Sequence, residues 1–281
     1  MDVSETSPAI ADLGFREGVA AMKGRNKFYS VISHAPFASA LVVALSLGVL
    51  FPGAPPSAAQ SPAPRVPPLA KQLNPAETAV LLIDFQNNFA APDGEHYPGY
   101  KKVFEATKML DNSVDLVKKA RALGVQVIEV TEGYSPDYRE LDWTNPGNFH
   151  RNQILRQAWK MDTKPVQLYE PLRPGPEDKD ILLPNRKAVS GFGGNNLDYI
   201  LRARGIKNIG LGGFSSDGCV YATLLSAFDL GYHVYALKDA MASNLAVLED
   251  QLFKESYPKY SRLTTYKDFL AMISASQVAS K

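Results

Sequence analysis

Four short apolar runs, interleaved with segments patterned as helices, constrain this 281-residue chain more than any other feature. AVLLIDF (79–85), VQVIEVT (125–131), NIGLGGF (208–214) and HVYALKDA (233–240) are too short for core helices and lack the polar alternation of half-exposed strands. They read as strands buried on both faces, the signature of a parallel sheet. DILLP (180–184) and RLTTY (262–266) add two shorter strands. Between them, residues 104–123 carry apolar side chains at helical spacing up to Gly124, as do 195–205 up to Gly205 and 219–231 up to Gly231. A glycine just past the last helical turn is the usual helix stop. Helices near 244–256 and at 267–273 complete the alternation. The pattern predicts a single three-layer α/β/α domain, with a doubly wound, mostly parallel sheet of about six strands. Ligands in such sheets bind at the carboxyl ends of the strands. The long aromatic and polar stretch from Glu132 to about Asn152 is the length of a functional loop.

The first 74 residues follow other rules. FASALVVALSLGVLF (37–51) is uncharged, follows Lys23, Arg25 and Lys27, and precedes Pro52-Gly53 and Ser57-Ala58-Ala59. That is the layout of a secretory signal peptide, and the run is shorter than the roughly 20 residues a membrane span needs. Residues 1–59 are therefore expected to be an N-terminal extension and signal peptide, with export or periplasmic delivery the consequence; an uncleaved membrane anchor is the alternative. Asp2, Glu5 and Asp12 suit no signal peptide, so Met22 is the expected start and 1–21 an upstream extension. Residues 52–68 hold seven prolines, and 60–74 read as an extended linker. The folded domain is expected over 75–275.

Charge narrows the partners. The net charge is +1 with no dense Lys/Arg run, so nothing in the chain favours nucleic acid. Cys219 is the one cysteine, which excludes an intramolecular disulfide. Three reactive side chains are delivered to one sheet edge: Asp84 closes the first strand, Lys187 follows DILLP, and Cys219 opens the helix after NIGLGGF. Each has a plain alternative, as turn cap, solvated lysine and core thiol. Together they suit nucleophilic catalysis. A helix N-terminus and a nearby lysine favour thiolate, Asp84 can take the thiol proton and pass it to the leaving nitrogen, Lys187 can orient Asp84 and offset developing charge, and amides around 215–219 can hold an oxyanion.

LLIDFQNNF (81–89), the stretch from Lys187 through LDYILRARGI (197–206), and GGFSSDGCVYATLLSAFDLGYHVYALKDA (212–240) resemble the isochorismatase-like cysteine hydrolases. The likeness spans roughly residues 76–273. It implies an Asp–Lys–Cys triad at Asp84, Lys187 and Cys219. It also implies a cis peptide at Phe214-Ser215, in an oxyanion turn that includes Gly218. The chain departs from the pattern at Ser215-Ser216-Asp217-Gly218, and at Val189-Ser190 where an aromatic-serine pair is common. Within the family, PGNFH (146–150), EPLRPGPEDKDILLP (170–184) and SGF (190–192) look most like ureidoacrylate amidohydrolases and biuret hydrolases. That implies cleavage of a C–N bond in a small amide, ureido or carbamoyl compound through a covalent Cys219 intermediate, and a homo-oligomer, either dimer or tetramer.

No metal or other cofactor is expected. Nicotinamidases of the family use an Asp-x-His element after the second strand, where this chain reads TEGYSPDY (131–138), and His34, His96, His150 and His233 show no ligand spacing. Candidate pocket residues are Gln86, Asn88, Phe89, Tyr134, Trp143, Phe149, Trp159 and Phe192. Three other readings remain. One is vinyl ether hydrolysis of the isochorismatase type, and another is a non-catalytic secreted binding protein on the same fold. The third, dinucleotide binding at Gly210-Leu211-Gly212, lacks its third glycine.

Overall fold

The computed structural model describes residues 68–279, with side chains as far as residue 275. The signal-peptide and extension expectations, and most of the proline-rich linker, lie outside the described residues. The fold takes hold slightly before residue 75. Leu73 is buried at 2% exposure, and its amide donates to the Met272 carbonyl at 3.0 Å.

Six strands form one sheet: β1 (Thr78–Ile83), β2 (Gln126–Glu132), β3 (Ile181–Arg186), β4 (Asn208–Phe214), β5 (His233–Ala242) and β6 (Arg262–Thr264). Their order is β3-β2-β1-β4-β5-β6 and every pairing is parallel. The helices are α1 (Asn87–Ala90), α2 (Tyr97–Thr107), α3 (Met109–Ala122), α4 (Asn148–Arg156), α5 (Leu197–Ala203), α6 (Cys219–Asp229), α7 (Ala246–Glu255), α8 (Tyr257–Tyr260) and α9 (Tyr266–Ala279). The expected single helix over 104–123 is two. Lys108 adopts φ 56° between α2 and α3, and the Asn112 amide bonds the Thr107 carbonyl at 2.9 Å across the break. The stretch expected as loop from 132 to 152 ends in α4.

All six β1 residues are buried, as a central parallel strand requires. Their side chains alternate between two cores. Val80 and Leu82 join a cluster with Leu116, Val117 and Phe269 from α3 and α9. Ala79, Leu81 and Ile83 join Leu201, Val220 and Leu224 from α5 and α6. Full burial of such side chains stabilises by about 1.5–3 kcal/mol each.

The order reverses at β1, with β2 and β3 on one side and β4 to β6 on the other. The crevice beyond the carboxyl ends of β1 and β4 is thus the switch point where α/β sheets bind ligands. Two backbone features open it. Asp84 has φ 55°, so β1 stops before it and the chain turns away. A non-glycine residue held there costs about 1–3 kcal/mol, a strain that collects at functional sites. Gly213 has φ 131°, and a Cβ on it would lie 2.1 Å from the Ile83 carbonyl oxygen, so only glycine lets β4 run this close to β1.

Candidate active site

The end of β1 and the start of α6 bring two of the predicted reactive groups together. Asp84 is fully buried and Cys219 is 8% exposed. One carboxylate oxygen of Asp84, one of Glu132 and the Cys219 sulfur lie within 4.8 Å of one another. The Asp84 Oδ2 atom faces Arg186 Nη2 at 2.5 Å, and both side chains have no solvent exposure. Among the described residues Asp84 Oδ1 makes no hydrogen bond of full geometry, and the Cys219 thiol lies beside this carboxylate.

The cation on Asp84 is therefore Arg186 and not the expected Lys187. Strand β3 runs two residues beyond DILLP, and Arg186 pairs in register with Glu132. Side chains alternate across a strand, so Arg186 turns into the site and the next residue turns away. The Lys187 ammonium reaches the Gly133 carbonyl, Glu140 at 3.1 Å and the face of Tyr134 at 5.5 Å instead. Arg186 is locked in place by its Nη1, which donates to the Ala188 and Val189 carbonyls.

The electrostatics reverse a second expectation. Cys219 is the first residue of α6, where the helix dipole favours thiolate by about 0.3–1 kcal/mol. That is under one pKa unit. Burial and the Asp84 carboxylate act the other way and are larger, so the thiol is pushed well above its ordinary value, with Arg186 opposing and Glu132 adding to the rise. Burial also raises Asp84, against the pull of Arg186. At rest the sulfur holds its proton, with an acceptor oxygen beside it.

The turn ahead of the thiol is built from both sides. The Phe214-Ser215 peptide is cis. Ser216 Oγ donates to Glu249 Oε2 at 2.5 Å, Ser216 N donates to the Ala242 carbonyl, and Tyr257 Oη donates to the Ser216 carbonyl. Gly218 N is already bonded to the Ser215 carbonyl at 3.0 Å, so it is not free for an oxyanion as expected. Among the described residues the amides of Ser215 and Cys219 find no acceptor, which makes them the available donors. A Cβ at Gly218 would meet Ser215 Oγ at 2.9 Å, so its smallness preserves the turn and does not enlarge the site.

The pocket candidates divide. Tyr134 is buried and donates to Glu132 Oε1 at 2.7 Å. Phe89 stacks on Phe214 with centroids 5.0 Å apart and also touches Trp159, so both form the aromatic wall beneath the turn. Gln86 is structural. Its amide nitrogen bonds the Glu132 and Val166 carbonyls and its oxygen accepts from Glu132 N, which uses the group up. Asn88 accepts from Glu95 N and holds the loop before α2. Phe192 stacks on Tyr232 in the α5–α6 core and leaves the pocket. Trp143 and Phe149 are exposed on the segment before and within α4.

Arg186, Glu132 and Tyr100 were missed. The strand register identifies the first two, since continuing the β2 and β3 alternation carries both to the sheet edge. Tyr100 comes from α2, and nothing in its local pattern links it to the thiol. Its hydroxyl neighbours Ser215, Asp217 and Cys219, and burial pushes it to about 12. The Asp84–Glu132–Cys219 cluster has the compactness of a cation site, but the Arg186 guanidinium already supplies the positive charge there. A separate cavity of about 480 Å³ lies at the opposite sheet edge, lined by Arg121, Gln126, Asp178, Asp180 and Arg204, away from this chemistry.

The Isochorismatase domain family matches residues 78–268. Over 178 residues the chain is 33% identical to the ureidoacrylate amidohydrolase RutB of Rhizobium rhizogenes, covering 60% of this chain and 71% of that one. RutB of Agrobacterium fabrum is 34% identical over 178 residues, covering 60% and 77%. A cysteine hydrolase structure from Pseudomonas syringae superposes with a TM-score of 0.61 at 23% identity, covering 77% of this chain and 99% of that one. N-carbamoylsarcosine amidase from Thermoplasma acidophilum gives 0.53 at 24% identity, covering 68% and 96%. At those identities the superpositions speak for the fold.

Proposed function

The chain belongs to the isochorismatase family, and on that premise we propose that it hydrolyses the C–N bond of a small amide, ureido or carbamoyl compound through a covalent intermediate on Cys219. The observation that carries this reading is the Cys219 thiol seated beside the buried Asp84 carboxylate, whose Oδ2 is held by Arg186.

The sulfur attacks the carbonyl carbon as its proton passes to Asp84. The S–C bond forms, and the oxyanion is met by the Ser215 and Cys219 amides. A single such donor is worth about 10²–10³ in rate. Collapse expels the nitrogen and leaves a thioester, or a carbamoyl thioester, on Cys219. Water then releases the acid and restores the thiol. Arg186 keeps Asp84 oriented and offsets its charge, the task expected of Lys187. The ureido group of the RutB relatives makes ureido and carbamoyl compounds the first substrates to try.

A panel of ureido compounds, carbamoyl compounds and simple amides, read by ammonia release, tests the proposal. Release by the wild type and none by Cys219→Ala is expected. No ammonia from any amide would sink it. Vinyl ether cleavage, the second reading, requires no attack by sulfur and predicts that Cys219→Ala stays active.

A further inference from the structure

Asp84 takes the Cys219 proton, and two further proton movements remain, which fall either to Asp84 in turn or to a second group. The leaving nitrogen must gain a proton, and the attacking water must lose one. A second carboxyl group stands at the reacting atoms. Glu132 ends β2, is 3% exposed, and puts an oxygen within 4.8 Å of both the sulfur and Asp84. Its Oε1 accepts from Tyr134 Oη at 2.7 Å, and its own backbone is pinned by both ends of the Gln86 amide. A glutamate held this rigidly beside a nucleophile, its carboxyl hydrogen-bonded among the described residues to Tyr134 alone, is placed to exchange protons with substrate.

We propose that Glu132 is a second catalytic residue, acting as the acid that protonates the leaving nitrogen and then as the base that activates the hydrolytic water. This rests on the Cys219 reading above. In the first half-reaction the Cys219 proton goes to Asp84, the S–C bond forms, the C–N bond breaks, and the Glu132 proton goes to the departing nitrogen. In the second, water adds to the thioester carbon as its proton goes to Glu132. The C–S bond then breaks and the thiolate takes back the proton from Asp84. Both carboxyl groups end as they began.

The surroundings supply the resting proton. Burial and the neighbouring Asp84 raise Glu132 to about 8, against Arg186, the Tyr134 hydroxyl and Lys187. Its facing charges thus come from the end of β1, the end of β3 and the residue after β3, with the neutral Tyr134 hydroxyl from the segment after β2 and the Cys219 thiol at the start of α6. At neutral pH the group carries a proton to give. Once Asp84 holds the thiol proton, the repulsion is gone and the glutamate can serve as a base.

An activated ester separates the two duties, because nitrophenolate leaves without a proton. With 4-nitrophenyl acetate, Glu132→Gln is expected to give a full first-turnover burst followed by a steady rate about 100-fold below wild type. Tyr134→Phe, which removes a bond favouring the carboxylate, is expected to move the acidic limb of the steady-state profile to higher pH. A steady rate in Glu132→Gln equal to wild type overturns the proposal. So does a burst lost in Glu132→Gln while Cys219-dependent in the wild type, or an unmoved limb in Tyr134→Phe. If wild-type nitrophenolate release persists in Cys219→Ala, it is the nucleophile reading that falls.

Discussion

Arg186 Nη2 stands 2.5 Å from Asp84 Oδ2 with neither side chain exposed to solvent. A buried pair of this kind is neutral to stability on balance, but removing one partner strands the other charge and costs about 3–5 kcal/mol. Arg186→Met is therefore expected to lower the melting temperature sharply and abolish turnover. Lys187→Ala is expected to do neither, because its partly exposed pair with Glu140 is worth about 0–1 kcal/mol. Thermal melts and ammonia release on both variants check this. Equal losses in the two variants would contradict the assignment.

The thiol has its own pH signature. Burial and the Asp84 charge raise Cys219, so iodoacetamide should label it slowly at neutral pH and faster only in alkali. Asp84→Asn removes the negative charge and leaves Arg186 unopposed. Both changes favour thiolate. The labelling curve is expected to shift to lower pH while turnover is lost, and a shift to higher pH would contradict the electrostatic account.

Glu129, in the middle of β2, makes a stability prediction free of catalysis. Among the described residues its two carboxylate oxygens are buried without a hydrogen-bond partner, and burial raises it to about 8. An acid whose folded pKa exceeds its unfolded value near 4.5 gives stability that is complete below that value and lost as pH rises to about 8. Glu129→Gln removes the titration and breaks no hydrogen bond. Its melting temperature should match wild type near pH 4.5 and exceed it increasingly toward pH 8. A gap that shrinks with pH would refute this.

Export remains a proposal from composition. Cleavage after the Ser57-Ala58-Ala59 stretch is expected on expression in a secreting host, and N-terminal sequencing reads it directly. An intact N-terminus in the membrane fraction would favour the anchor.

The sheet was legible in the sequence because burial on both faces leaves unbroken apolar runs, and β4 was bounded correctly at 208–214. Asp84 and Cys219 were legible because each abuts such a run. Arg186 was not. Its neighbour Lys187 has the same charge, and one residue of strand length decides which side chain enters the site. Glu132 lay hidden as the first residue of an expected loop, where an acid signals solvent. The turn supports, Glu249 and Tyr257, come from α7 and α8, far along the chain, and no local pattern announces a contact of that range. Phe192 was misplaced because an aromatic near a catalytic segment suits the helix core as well as a pocket.

The central claim is a covalent bond to Cys219. Acid-quenching the enzyme during turnover of a carbamoyl or amide substrate, then weighing the peptide that contains Cys219, tests it most directly. The account predicts an added acyl or carbamoyl mass on that peptide, absent from Cys219→Ala. An unmodified Cys219 peptide during sustained turnover, with Cys219→Ala equally active, would contradict it.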